Sequence, residues 1–138
     1  MPKPTIASQV RNLRKVPLFA GLSEAGLQRI VKLSTLYEAP AGRVLVQPRA
    51  AGSGLFVIEE GAVVVEHRGT SLELGPGEFF GELALLSDRT HAARVRAKTA
   101  VRCLAIDRFS FSKLLLEEPK MAISMLETLA ARFSKTLN

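Results

Sequence analysis

The chain predicts a mainly β domain flanked by helices, and three observations carry that reading. Between about Leu36 and Ile106, turn signals recur about every 8 to 12 residues or closer and separate short apolar runs, the spacing of a sandwich or barrel. Before and after that zone, apolar residues recur at helical intervals instead. At 138 residues and 15.0 kDa there is length for one domain, residues 1–138, with a core of its own.

The first zone, residues 6–34, reads as helical. Ile6, Val10, Leu13 and the Val16-Pro17-Leu18 run share one apolar face, which Pro17 interrupts. Ser23 stands where an N-cap belongs for a second helix carrying Leu27, Ile30, Val31 and Leu33. The second zone, 36–106, reads as strands. Ala39-Pro40-Ala41-Gly42 turns into Arg43–Gln47; after a loop at Ala50–Gly54 come Leu55–Glu59, Ala62–His67 and Ser71–Leu74. Gly75-Pro76-Gly77 makes a corner. A late strand alternates Ala93, Val95 and Ala97 against Arg94, Arg96 and Lys98, and a last one sets Val101, Cys103 and Ala105 against Arg102, Leu104 and Ile106. In the third zone, 107–138, Asp107 caps a helix to Glu117, and Pro119 opens another reaching about Leu137. Met121, Met125, Leu129 and Phe133, with Leu126 and Ala130, make an apolar stripe readable either as core or as a partner or ligand lid.

Composition excludes several classes of function. Hydrophobic residues at 47% and charged residues at 23% exclude a disordered tail. Apolar runs such as Leu83–Leu86 fall far short of the roughly 20 residues that span a bilayer. The Met1–Thr5 start lacks a signal-peptide core, so a cytoplasmic location is the expectation. One cysteine (Cys103), two histidines (His67, His91) and two aspartates (Asp88, Asp107) leave metal and triad chemistries short of parts, and no P-loop or zinc spacing occurs. The expectation is a protein that is not an enzyme and needs no cofactor.

The net charge of +6 permits an anionic partner without choosing one. Arg89 to Arg108 is the densest basic stretch. It reads as solvated strand positions; lacking a groove-sized helix, it makes nucleic acid an unfavoured partner. Glu59-Glu60 and Glu117-Glu118 read as solvated charges, His67 as a surface hairpin residue, and the seven Phe as buried.

The strand pattern breaks once, from Phe79 to Asp88. Glu82–Leu86 has helix-forming residues and room for about one turn. A short helix entered through Gly81 collects free backbone N–H groups at one spot, where a phosphate is favoured, and glycine lets the backbone come close. Glu82, beside that spot, would repel phosphate but can accept from a sugar hydroxyl.

The run Pro76-Gly77-Glu78-Phe79-Phe80-Gly81-Glu82-Leu83-Ala84-Leu85-Leu86, with Ala93, Val95 and Ala97 after it, resembles the phosphate-binding cassette of the cyclic nucleotide-binding domain family. Val16–Ser23 resembles that family's entry helices, Ala39–Gly42 the turn before its β-roll, and Leu55–Gly61 its central hairpin. The resemblance implies an antiparallel β-roll, a double-stranded jelly roll, with N-terminal helices, a short phosphate-binding helix near 82–86 and closing C-terminal helices. It implies cAMP or cGMP as ligand, with Phe80, Gly81, Glu82, Leu83 and Ala84 at the site and Glu82 on the ribose 2′-hydroxyl. The chain departs from the family at Thr90-His91-Ala92-Ala93-Arg94-Val95: His91 stands where the phosphate-clamping arginine belongs, and Arg89 is the nearest substitute. Ala92 resembles the kinase regulatory pattern and favours cAMP over cGMP. The expected role is a stand-alone sensor that signals through its last helix to a protein partner or a second copy. The alternative is a degenerate interaction or dimerisation module that has lost its nucleotide.

Overall fold

The computed structural model describes residues 5–47, 54–67, 69–81 and 93–137. The chain divides into two compact units, residues 34–111 and residues 1–33 with 112–138.

The first unit carries eight strands: β1 (Thr35–Ala39), β2 (Val44–Val46), β3 (Gly54–Glu60), β4 (Val63–His67), β5 (Thr70–Leu74), β6 (Phe79–Phe80), β7 (Arg94–Ala97) and β8 (Val101–Asp107). They form two antiparallel four-stranded sheets, ordered β1-β8-β3-β6 and β2-β7-β4-β5. Residues of both sheets meet in one core: Ala39, Ile58, Phe80, Val101 and Cys103 from the first, Val46, Val63, Leu74, Val95 and Ala97 from the second. Mainly antiparallel sheets with flanking helices are thus present as expected, with strand bounds within one or two residues of those read from the turns.

Three local expectations need correcting. The strand pattern does not break at Phe79: Phe79 and Phe80 pair with Val57 and Phe56 of β3, so the break begins at Gly81. In β8 the simple alternation fails, because Leu104 and Ile106 are buried along with Val101 and Cys103 while Ala105 is half-buried. β8 lies between β1 and β3, and a central strand buried on both faces loses its period of two. Glu59 is not a solvated turn charge. A register shift between Ile58 and Glu60 displaces it, and its side chain is only 4% exposed beside Arg102. The basic stretch does behave as solvated strand positions at Arg96 and Lys98, which pair with Glu66 and Glu73, but Arg102, paired with Glu60, is mostly buried.

The second unit holds α1 (Ile6–Arg14), a 3-10 turn at Pro17–Phe19, α2 (Glu24–Leu33), the greater part of α3 (Arg108–Glu117) and α4 (Pro119–Leu137). The sequence sets the caps. The Ser23 hydroxyl accepts from the Gly26 N–H at 3.1 Å and Thr5 from the Ser8 N–H at 3.1 Å. Asp107 accepts from the Ser110 N–H and hydroxyl, both at 2.9 Å, which holds its carboxyl below its usual range. That cap therefore contributes stability above the ordinary carboxylate pKa, lost as pH falls through the lowered value.

The α4 stripe is only partly core. Met121 and Met125 are buried, Leu129 is half-buried, and Leu126 and Phe133 are 65% and 64% exposed. Of the phenylalanines expected to be buried, Phe109 and Phe133 are exposed and Phe56 is half-buried. Glu118, expected to be solvated, is mostly buried: with Glu117 it receives Arg29 Nη1, at 3.2 and 3.1 Å.

Candidate ligand site

Burial changes along the interior of the strand unit. In the β4–β5 hairpin, Val63 pairs with Leu74, Val65 with Leu72 and His67 with Thr70, so the first two residues of β4 in this series and their partners share the core face. Val63 and Leu74 are sealed; Val65 is half-buried and Leu72 is 44% exposed; His67 and Thr70 are exposed. The opposite sheet follows the same trend. Val101, Cys103 and Ile58 are sealed, whereas Tyr37 and Phe56 pack on the core only partly buried, as does Leu45 of β2. The core face is sealed at Val63 and Val101 and more exposed toward Val65, Leu72, Tyr37 and Phe56, although Val95 and Phe80, which pair with Val65 and Phe56, are themselves buried. Apolar side chains left partly exposed in this way are where a small molecule finds cover.

Phe80 and Gly81 stand beside Phe56, one of those side chains. Phe80 is buried and stacked on Phe56, with ring centroids 5.0 Å apart and planes 7° from parallel; Tyr37 meets Phe56 edge-on at 6.0 Å. The Gly75-Pro76-Gly77 corner sets this register. Gly77 N–H donates to the Ile58 carbonyl, Ile58 N–H to the Glu78 carbonyl, and Gly75 N–H to Glu78 Oε2, at 2.8, 2.9 and 2.8 Å. Gly81 follows with φ +95°, and a Cβ there would lie 2.5 Å from the Gly54 carbonyl oxygen. Both facts demand glycine, so the chain leaves the sheet at Gly81 by a route no other residue type takes without strain.

Of the residues singled out in the sequence, the structure places Phe80 and Gly81 next to each other beside Phe56. Glu82, Leu83, Ala84, Arg89, His91 and Ala92, and the short helix near 82–86, lie outside the described residues. The sequence reading missed Tyr37, Leu45, Phe56, Val65 and Leu72 as lining residues. The parity of Val63, Val65 and His67 against Thr70, Leu72 and Leu74 was the available signal, since it puts Val65 and Leu72 on the core face next to an exposed turn.

Cys103 lies in the sealed part. Burial, and then the nearby Glu59 charge, push its thiol up to about 12. The thiolate that reacts is therefore scarce, and the native protein is expected to resist iodoacetamide at pH 8, with alkylation appearing only in denaturant. Stoichiometric native labelling, read by mass spectrometry, would contradict this placement.

A sequence profile for the cyclic nucleotide-binding domain matches residues 37–118, from Tyr37 in β1 to the residue after α3. The chain belongs to the cyclic nucleotide-binding domain family. It is 37% identical over 117 residues to a cyclic nucleotide-gated potassium channel of Rhizobium etli, covering 85% of this chain and 33% of that one. The catabolite activator protein of Thermus thermophilus shares the fold with a TM-score of 0.77 and 26% identity, over 87% of this chain and 59% of that one. The regulatory subunit of a cAMP-independent protein kinase A from Trypanosoma brucei matches with a TM-score of 0.82 and 24% identity, over 89% and 45%. A triple mutant of that subunit, in which one substitution puts arginine for threonine, is bound to cAMP in the A site. The family is one of regulatory binding domains. The chain spans about a third or less of the length of curated relatives such as the channel. Among its described residues no helix is long and apolar enough to cross a membrane.

Proposed function

We propose that this cyclic nucleotide-binding domain is a sensor that takes cAMP in preference to cGMP and signals through α4. One observation carries the reading: partly buried apolar residues Tyr37, Leu45, Phe56 and Val65 of the strand unit lie where Phe80 and Gly81 of the cassette-like run pack beside Phe56. Gly81 and Glu82 keep the family pattern for phosphate and ribose, and Ala92 supports the adenine nucleotide. Output belongs to α4, whose apolar residues divide between anchored (Met121, Met125) and uncovered (Leu126, Phe133). A protein partner or a second copy on that uncovered side would read the helix position, and cAMP shifts that position only by binding one arrangement more tightly. The setting we assign is the cytoplasm.

His91 favours a second reading, a module that no longer holds nucleotide. Histidine reaches less far than arginine and is charged only below about pH 6.5. Among proteins sharing this fold, one is described as cAMP-independent and its arginine-bearing mutant as cAMP-bound, so the fold alone is compatible with either reading. Calorimetric titration with cAMP and cGMP at pH 6 and pH 8 decides. The sensor is expected to bind cAMP saturably and more tightly than cGMP. If the phosphate raises the His91 pKa, the imidazole takes up a proton on binding, so affinity is greatest below about pH 6.5 and falls as pH rises through the raised value. Equal affinity at the two pH values removes His91 from the phosphate site, and no binding at millimolar nucleotide establishes the module.

A further inference from the structure

The net charge of +6 is not spread over the molecule. Residues 34–111 hold nine Lys and Arg against nine acids and are neutral; residues 1–33 with 112–138 hold ten against four. The whole excess therefore belongs to the helical unit, away from the Arg89 to Arg108 stretch that looks most basic in the sequence. Its N-terminal part is the extreme case: residues 1–23 contain Lys3, Arg11, Arg14 and Lys15 and not one Asp or Glu.

Three of these cations share one face. At about 100° per residue, Arg14, Arg11 and Lys15 fall within roughly 100° of arc about α1. All three are exposed, and Ala7 lies between them, while Gln9, Val10 and Leu13 on the other side are buried. Elsewhere in the protein Arg29, Arg96, Lys98, Arg102 and Lys113 are in ion pairs with carboxylates, and the described cations that are not, such as Lys32, Arg43 and Arg94, come singly in the sequence rather than three within five residues. Arg11, Arg14 and Lys15 make no ion pair among the described residues. Their place at the helix C-terminus complements the macrodipole. That accounts for a cation or two in the last turn, but not for 23 residues without an acid.

We infer that this face of α1 docks on an anionic lipid surface. A nucleic-acid groove needs a helix that enters it, whereas α1 has nine residues and is buried along its other side. A folded acidic protein would need carboxylates placed to match three cations on a short convex face. Lipid headgroups are laterally mobile and supply the matching charge without a preformed surface, and each Lys or Arg near such a surface is worth about five-fold in partition. The three together give roughly 100-fold, enough for reversible, salt-sensitive attachment and not for insertion.

The test is co-sedimentation with vesicles of phosphatidylcholine carrying about 30% phosphatidylglycerol, at about 50 mM salt, against phosphatidylcholine alone. The natural protein is expected to bind only the anionic vesicles. The triple variant Arg11→Gln, Arg14→Gln, Lys15→Gln should lose roughly 100-fold in partition, while Arg11→Lys with Arg14→Lys keeps it. A second triple, Arg43→Gln, Arg94→Gln, Lys98→Gln, removes the same net charge from the strand unit and should change partition less than about three-fold. Thermal unfolding of each variant confirms that it is folded. Equal losses in the two triples would reduce the effect to net charge and overturn the assignment to α1. Absence of binding to anionic vesicles, or tighter binding to polyglutamate or duplex DNA at the same salt, would overturn the lipid surface.

Discussion

Replacing His91 by arginine is expected to tighten cAMP binding by roughly 10- to 150-fold. The expectation follows from the chemistry of the position. A guanidinium is permanently charged and presents a planar fork that meets two phosphate oxygens at once, whereas imidazole offers one donor toward the phosphate and is mostly neutral at pH 7. A charge-assisted hydrogen bond contributes about 1.5 to 3 kcal/mol, which is roughly the stated ratio of dissociation constants. The variant should also lose any difference in affinity between pH 6 and pH 8, since arginine does not titrate there. Calorimetry of natural and His91→Arg protein at both pH values measures the two effects in one set of titrations. An unchanged dissociation constant would mean that another cation already holds the phosphate. Arg89 is the candidate, and Arg89→Gln in the natural protein would then abolish binding. If the natural protein binds nothing and the variant binds cAMP, the cavity is intact and only the clamp has been lost.

Most of the fold was legible because its signals are local. Pro17 ends α1, Ser23 and Asp107 cap the helices they precede, and Gly75-Pro76-Gly77 turns the chain into β6. Each is a matter of backbone geometry or a short-range hydrogen bond, and each reads from three or four residues. The errors arose where burial depends on partners distant in sequence. Nothing near Glu59 announces that β3 shifts register against β8 there and takes the carboxylate out of water. Leu104 and Ile106 alternate correctly with Cys103, but both faces of β8 are buried, and nothing in the strand's own residues says that its second face is covered. In α4 the spacing of Met121, Met125, Leu129 and Phe133 is helical throughout; which turns find cover is a tertiary fact, and the first two do. The site was legible in part for the same reason. Phe80 and Gly81 belong to a contiguous run, whereas the lining at Tyr37, Phe56, Val65 and Leu72 comes from four strands.

Gly81→Ala should cost about 2 to 4 kcal/mol of stability, more than any other glycine-to-alanine change that leaves the turns of the sheets alone. Two separate terms make up that figure. The first is conformational: φ is +95°, and a left-handed conformation costs an L-residue about 1 to 2 kcal/mol. The second is a collision with backbone. The new Cβ would stand 2.5 Å from the Gly54 carbonyl oxygen, and Gly54 cannot retreat freely because its own Cβ position already falls 2.6 Å from the Ile106 carbonyl oxygen. Gly42 separates the two terms. It has φ +89° with nothing within 4 Å of its Cβ position, so Gly42→Ala carries the conformational cost alone. At about 3 °C per kcal/mol for a chain of this length, Gly81→Ala should melt lower than Gly42→Ala by roughly 3 to 6 °C. It should also weaken nucleotide binding where Gly42→Ala does not, because the shift falls within the cassette-like run, directly after Phe80. Equal melting temperatures would show that β3 yields at Gly54 without cost. The close approach of the two backbones would then have no part in holding the cassette-like run beside Phe56, and glycine at position 81 would be required by its φ alone.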